Sequence, residues 1–319
     1  MRKNVNAVTI TGRIYKNDLN VNTVQNQSSQ NFGKEYIGGS LDIAVDDDGL
    51  NVIPVYFTYV TETTSSGNKN LTYSALKKLI EGKETNSWSK AGKESATIVE
   101  IRTSLAINDF YGRDGNLVSA KRAEGGFVKI IDEMPEETSG KLHDFIMDML
   151  ITKITRIEAD TEKNIENDYA IVKGAVFNFR NDLLPIELTL RDPAGIDYLE
   201  GREISSQNPF YTKVWGKVNC TTVKIKKVEE SAWGAPKVTY TETTAKEWLL
   251  TGLKGEGYEF GEEGVLTVEE LTEAMQNREV HLADVKKKAE EYATKKASGN
   301  TSTSNSGFNN TIPAGKFNF

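Results

Sequence analysis

The chain has 319 residues, 38% of them apolar and 27% charged, and a formal net charge of −7. That length can bury two cores of ordinary domain size, and the acidic balance excludes indiscriminate polyanion binding while leaving room for a local basic groove. A single cysteine, Cys220, and two separated histidines, His143 and His281, exclude an intramolecular disulfide framework and a cysteine-based zinc site.

The start, Met1-Arg2-Lys3-Asn4, is basic, but the apolar stretch of a signal peptide does not follow. No apolar run approaches the ~20 residues that span a bilayer, so a cytoplasmic protein without a membrane partner is expected. No adjacent carboxylate cluster or histidine pair offers a metal site or a general base. The expectation is a non-enzymatic chain with no cofactor.

In chain order, strand-like alternation runs over Val5–Tyr15, Lys34–Val45 and Asn51–Tyr59. "NLTYSALKKLIEG" then predicts a short helix with Leu71, Ala75, Leu76 and Leu79 on one face. Strands over Ala96–Phe110 and Leu117–Ile131 follow, joined by "YGRDGN", whose Asp114-Gly115 step signals a hairpin. "VDDDGLN" reads as a turn between two strands, not as a cation loop.

The acidic spacer Asp132–Gly140 breaks the pattern, and the order then recurs. Strands are predicted over Met149–Glu158, Asp168–Phe179 and Leu183–Leu190, a partly helical piece over Asp192–Glu203, and strands over Tyr211–Lys226 and Lys237–Leu250. The third strands compare directly: "NVIPVYFTY" (Asn51–Tyr59) matches "DLLPIELTL" (Asp182–Leu190) at the proline, the threonine and the apolar positions. This is the mark of a diverged internal duplication.

Five strands with a helix between the third and fourth is the order of the OB-fold, a small barrel that commonly holds oligonucleotides or oligosaccharides. The expected fold is mostly β, with two tandem OB barrels at residues 1–135 and 141–252. A charged helical region at 253–297 and a flexible Ser/Asn/Thr/Gly tail at 298–319 complete it. "GYEFGEEG" lacks the lysine and hydroxyl of a phosphate loop and is assigned to the linker.

Alternation on the first barrel places Arg13, Tyr15, Tyr36 and Arg102 on the polar face, and the fourth-to-fifth-strand hairpin adds Phe110, Tyr111, Arg113, Lys121 and Arg122. On the second barrel, Phe210–Lys227 holds five lysines and no acid, with Tyr211, Lys213, Trp215 and Lys217 pointing outward together. Cations neutralise phosphates while aromatic rings stack on bases, a combination suited to a single strand. An edge strand guarded by lysine, or packing of the two barrels on one another, would produce the same row. The tail ends in aromatics, Phe317 and Phe319, placed to dock on a neighbouring protomer or another protein.

The opening stretch resembles the bacterial-type single-strand DNA-binding proteins, whose first strand runs Asn-x-Val-x-Leu-x-Gly-Arg-Leu-x-Lys. Asn6, Val8, Ile10, Gly12, Arg13, Ile14 and Lys16 fill those positions. Two tandem barrels on one chain are more similar to the single-strand DNA-binding proteins of bacteriophages of Gram-positive hosts. The resemblance implies an OB-fold with Arg13 in the binding face, and a role guarding DNA in phage replication or recombination. It also implies a tail that recruits replication or recombination proteins, but here the last residues include Lys316 and no acid, a departure from the family's acidic tip.

The leading expectation is cooperative, largely sequence-independent binding of single-stranded DNA. The alternative is a virion scaffold that uses OB-like barrels as protein-interaction modules.

Overall fold

The computed structural model describes residues 4–64, 66–112, 114–135, 142–160, 165–229, 233, 237–263 and 265–297. The chain is mostly β. Its first strand, β1 (Asn6–Asn17), buries Val8, Ile10 and Ile14 as the alternation requires. Gly12, inside the opening motif, is fixed by close approach: a Cβ there would fall 2.2 Å from the Ala44 carbonyl oxygen.

The short β2 (Asn20–Thr23) carries no alternation and was not legible; it hydrogen-bonds to β3 (Glu35–Ala44). β4 (Val52–Thr61) follows the predicted turn, where the Asp46 carboxylate accepts from the Leu50 and Asn51 amides at 3.2 and 2.8 Å. Helix α1 (Leu71–Glu81) is capped by Asn70, whose side chain accepts from the amides of Thr72 and Tyr73. Its inner face is Tyr73, Leu76 and Leu79, whereas Leu71, expected on that face, is 63% exposed. The helix enters the core two positions later than the apolar count suggests, with the tyrosine ring taking the place expected of Leu71.

A four-residue helix, α2 (Trp88–Ala91), and a single 3-10 turn (Lys93–Ser95) lead to β5 (Ile98–Tyr111) and β6 (Leu117–Ile131). The second half repeats the order: β7 (His143–Ile157), β8 (Tyr169–Phe177), β9 (Leu183–Leu190), α3 (Pro193–Glu200), β10 (Phe210–Glu229) and β11 (Lys237–Leu253). α3 starts with Asp192 as its cap and Pro193 in its first turn. The long α4 (Val268–Ala297) opens with a reciprocal cap, the Glu270 amide donating to Thr267 Oγ1 and the Thr267 amide to Glu270 Oε2.

Pairing is cyclic in each half. β1 pairs antiparallel with β3 and β5, β3 with β4, β5 with β6, and β4 meets β6 in parallel. β7 likewise pairs with β8 and β10, β8 with β9, β10 with β11, and β9 meets β11 in parallel. The two first strands join the cycles: β1 and β7 run antiparallel with Asn6 opposite Met147 and Ile10 opposite His143, so all strands form one 11-stranded sheet. This seam explains why β7 begins at His143 rather than Met149. Its first residues pair with β1 on one side and with β10 on the other, so they belong to both cycles at once.

His143 sits in that seam, its Nδ1–H donating to the Val218 carbonyl at 2.7 Å. Burial pushes its pKa below the ordinary 6.5, and Lys217 adds to this; the Val218 bond, Asp144 and Asp46 oppose it. The folded state therefore gives up its proton at lower pH than the unfolded chain. Between the two values the unfolded state holds more protons, so stability rises with pH there. Stability is expected to fall as pH drops below about 6.5, and His143→Gln should flatten that part of the curve in urea unfolding between pH 7.5 and 5.5.

Candidate nucleic-acid interface

The seam makes one outward sheet face continuous across both halves. Lys217 on β10 lies opposite Asp144 on β7, which is opposite Thr9 on β1, then Arg102 on β5 and Phe127 on β6. The next row runs from Trp215 through Ile146 to Ala7. Trp215 is 40% exposed and its indole lies over Gly252 of β11, where a Cβ would come within 2.5 Å of Nε1. Arg102 is exposed, with Nε 2.7 Å from Glu100 Oε1.

Two members of the expected β10 row are not open. Tyr211 points outward but is only 2% exposed, because the segment read as a linker folds back over it. Phe260 stacks on its ring at 5.8 Å, Tyr258 and Phe177 meet it edge-on, and its hydroxyl donates to Asn4 Oδ1 at 2.9 Å. Tyr211, Leu150, Phe177, Leu266 and Ala274 form a second small apolar cluster. Lys213 is half-buried, with Nζ 4.0 Å from the fully buried carboxylate of Asp148.

Arg13 and Tyr15 form a separate patch. The Tyr15 ring is 5.8 Å from that of Trp88, so α2 covers the ring expected beside a base. Arg13 is half-buried on β1 between Ile98 and Ala44. It helps lower the pKa of Asp47, although the hydrogen bond from Lys93 is the main cause.

A cleft of about 480 Å³ opens between β4–β6 of the first half and β10–β11 of the second. Its walls include Tyr56, Phe110, Lys121, Arg122, Lys246 and Cys220. The Arg122 guanidinium lies over the Tyr56 ring, 5.4 Å from its centroid, and pairs with Glu124 Oε2 at 2.6 Å. Lys121 reaches across to donate to the Glu187 carbonyl. Burial pushes its ammonium pKa down and Glu187 partly offsets this.

Burial also raises the Tyr56 phenol, the Cys220 thiol and the neighbouring Asp42 carboxyl, the last opposed by Lys16 and Lys246. Up the same β3–β4 surface, Tyr36 meets Tyr59 at 4.8 Å. The cleft therefore joins apolar ring surface to three cations, Lys121, Arg122 and Lys246.

Of the residues expected at a site, Lys121 and Arg122 enter this cleft, with Tyr36 on the sheet face that leads to it and Tyr111 half-buried at the end of β5 beyond Phe110. Trp215, Lys217 and Arg102 share the open face. Arg113, Phe317 and Phe319 lie outside the described residues. The sequence reading missed Tyr56 and Lys246. Tyr56 was within reach, since Pro54, Tyr56 and Thr58 alternate outward on the third strand; Lys246 had no local signal.

Two linked cycles of β-strands, sharing one seam and enclosing an aromatic and cationic cleft, are the class of protein this geometry defines. The YorF family model matches residues 4–288, and the chain belongs to the YorF family. No curated protein matches it. Among solved structures it is similar to the crystal structure of a deletion mutant of the single-stranded DNA binding protein from Thermus aquaticus. The identity is 10%, over 82% of this chain and 100% of that one, with a TM-score of 0.44. At that overlap the likeness decides nothing about this chain.

Proposed function

We propose that this protein binds single-stranded DNA without catalysing a reaction, holding the strand in the cleft between two OB-type barrels. The barrel reading, with domains at 1–135 and 141–252, is supported by the strand order within each cycle. The order is first, second, third, fifth, fourth and back to first, with a single parallel contact and a helix after the third strand. The observation that carries the function is the cleft itself, where Tyr56 beneath Arg122 and the ring of Phe110 lie among Lys121 and Lys246. Rings recognise base faces, which a duplex hides, and cations recognise phosphates, so the combination selects an unpaired strand. Trp215, Lys217, Arg102 and Phe127 on the open face extend the track. Guarding strands during phage replication or recombination, and cooperative coating through residues 298–319, belong to the same proposal.

Titration with oligo-dT, followed by tryptophan fluorescence and competed with duplex DNA, tests it. Strong preference for dT is expected, with log affinity falling against log salt by about 0.7 per phosphate contacted. Weak binding, equal for both forms of DNA, would overturn the proposal and favour the scaffold.

A further inference from the structure

The β5–β6 hairpin is a wall with two faces. Asn108, Phe110, Ala120 and Arg122 look into the cleft. Asp109 looks the other way and meets α4. There Arg278 grips it through both terminal nitrogens at 2.6 Å, His281 Nε2 donates to it at 3.2 Å, and Ser119 Oγ donates at 2.6 Å from the facing strand. The Asp109 side chain is 1% exposed and that of Arg278 12%.

The first turns of the helix, just before Arg278, are fixed to the second half of the chain. Leu271 and Ala274 pack with Leu150, Phe177 and Tyr211. Helix α4 is thus a strap anchored on one half that holds the hairpin of the other. Asp109 is one residue from Phe110, and its partner Ser119 is two from Lys121, so a shift of the grip moves the cleft wall directly.

We propose that Arg278 and Asp109 are positioning residues for nucleic-acid binding: through them α4 sets the stance of the β5–β6 wall and hence the width of the cleft. This inference rests on the single-strand reading above. Burial works to raise the Asp109 carboxyl, and the hydrogen bonds from Arg278 and Ser119 outweigh it, so the acid stays ionised and the grip stays charged. A bidentate guanidinium pair fixes direction as well as distance, which a lysine cannot do.

The test uses full-length wild type, Arg278→Ala, Arg278→Lys and the milder His281→Gln, which removes only the outermost contact. Hydrogen exchange and dT titration are read on each. In Arg278→Ala, amides of Asn108–Leu117 should exchange at least about tenfold faster while those of the β1–β7 seam stay unchanged. Affinity for dT should fall about tenfold, with Arg278→Lys and His281→Gln in between. In a Phe110→Ala background the Arg278→Ala loss should shrink, because the wall it aims has lost its ring.

Unchanged exchange at the hairpin, or faster exchange with full dT affinity, overturns the inference. So do losses from Arg278→Ala and Phe110→Ala that simply add. Should wild type fail to bind dT, the single-strand reading falls, and the exchange result alone decides whether α4 positions the wall.

Discussion

Replacing Tyr56 and Arg122 together by alanine will weaken oligo-dT binding by about a hundredfold or more, without lowering the fold's stability to match. Each lost base stack would be worth ~1–3 kcal/mol, and on the proposed reading Arg122 would supply a phosphate contact as well. Neither side chain belongs to the apolar core: Tyr56 lines the cleft, and Arg122 is held over it by Glu124. Arg122→Lys separates charge from shape. It keeps the cation but loses the planar fork that stacks on the ring, so an intermediate loss is expected. Fluorescence titration at fixed salt, with urea unfolding on the same samples, checks both statements. Full dT affinity in the double variant would move the binding track out of the cleft.

Asp148→Ala should cost the fold about 3–5 kcal/mol, the usual penalty for breaking a buried charged network. The carboxylate is fully buried and accepts from the Val5 amide at 2.9 Å and the Tyr258 hydroxyl at 3.1 Å, with the Lys213 ammonium 4.0 Å away. Removing it leaves the Val5 amide and the Tyr258 hydroxyl without this acceptor, at the point where the N-terminal segment, β7 and Tyr258 converge. A fall in the guanidinium midpoint at unchanged slope reads this out. The same geometry predicts that Lys213→Ala changes stability more than dT affinity, and Lys217→Ala the reverse.

How much of this was legible depends on what alternation can encode. It gave β6 and β9 to the residue, and the match of Asn51–Tyr59 with Asp182–Leu190 located two strands that occupy the same place in their cycles. Alternation states which way a side chain points and nothing about what lies above it. Tyr211 points outward as expected, yet Tyr258 and Phe260 cover it, and Trp88 covers Tyr15 in the same manner. The early start of β7 was hidden because polar His143, Asp144 and Asp148 interrupt it, although Phe145 and Met147 are buried and Ile146 between them is exposed. The cleft was hidden for a different reason: Tyr56 and Lys246 come from opposite halves of the chain, brought together by the antiparallel β1–β7 join and by the contact of Asn51 with β10. The grip of Arg278 on Asp109 is likewise long-range. On the sequence, Arg278 is one more charge on a charged helix.

The most direct test is photo-crosslinking of an oligo-dT strand carrying 5-iodouracil to the full-length protein, followed by mapping of the adducted peptides. Adducts on Tyr56 and Phe110, competed away by unlabelled dT and not by duplex, are the expected result. Adducts confined to the Trp215 face, or none at all at saturating strand, would contradict binding in the cleft.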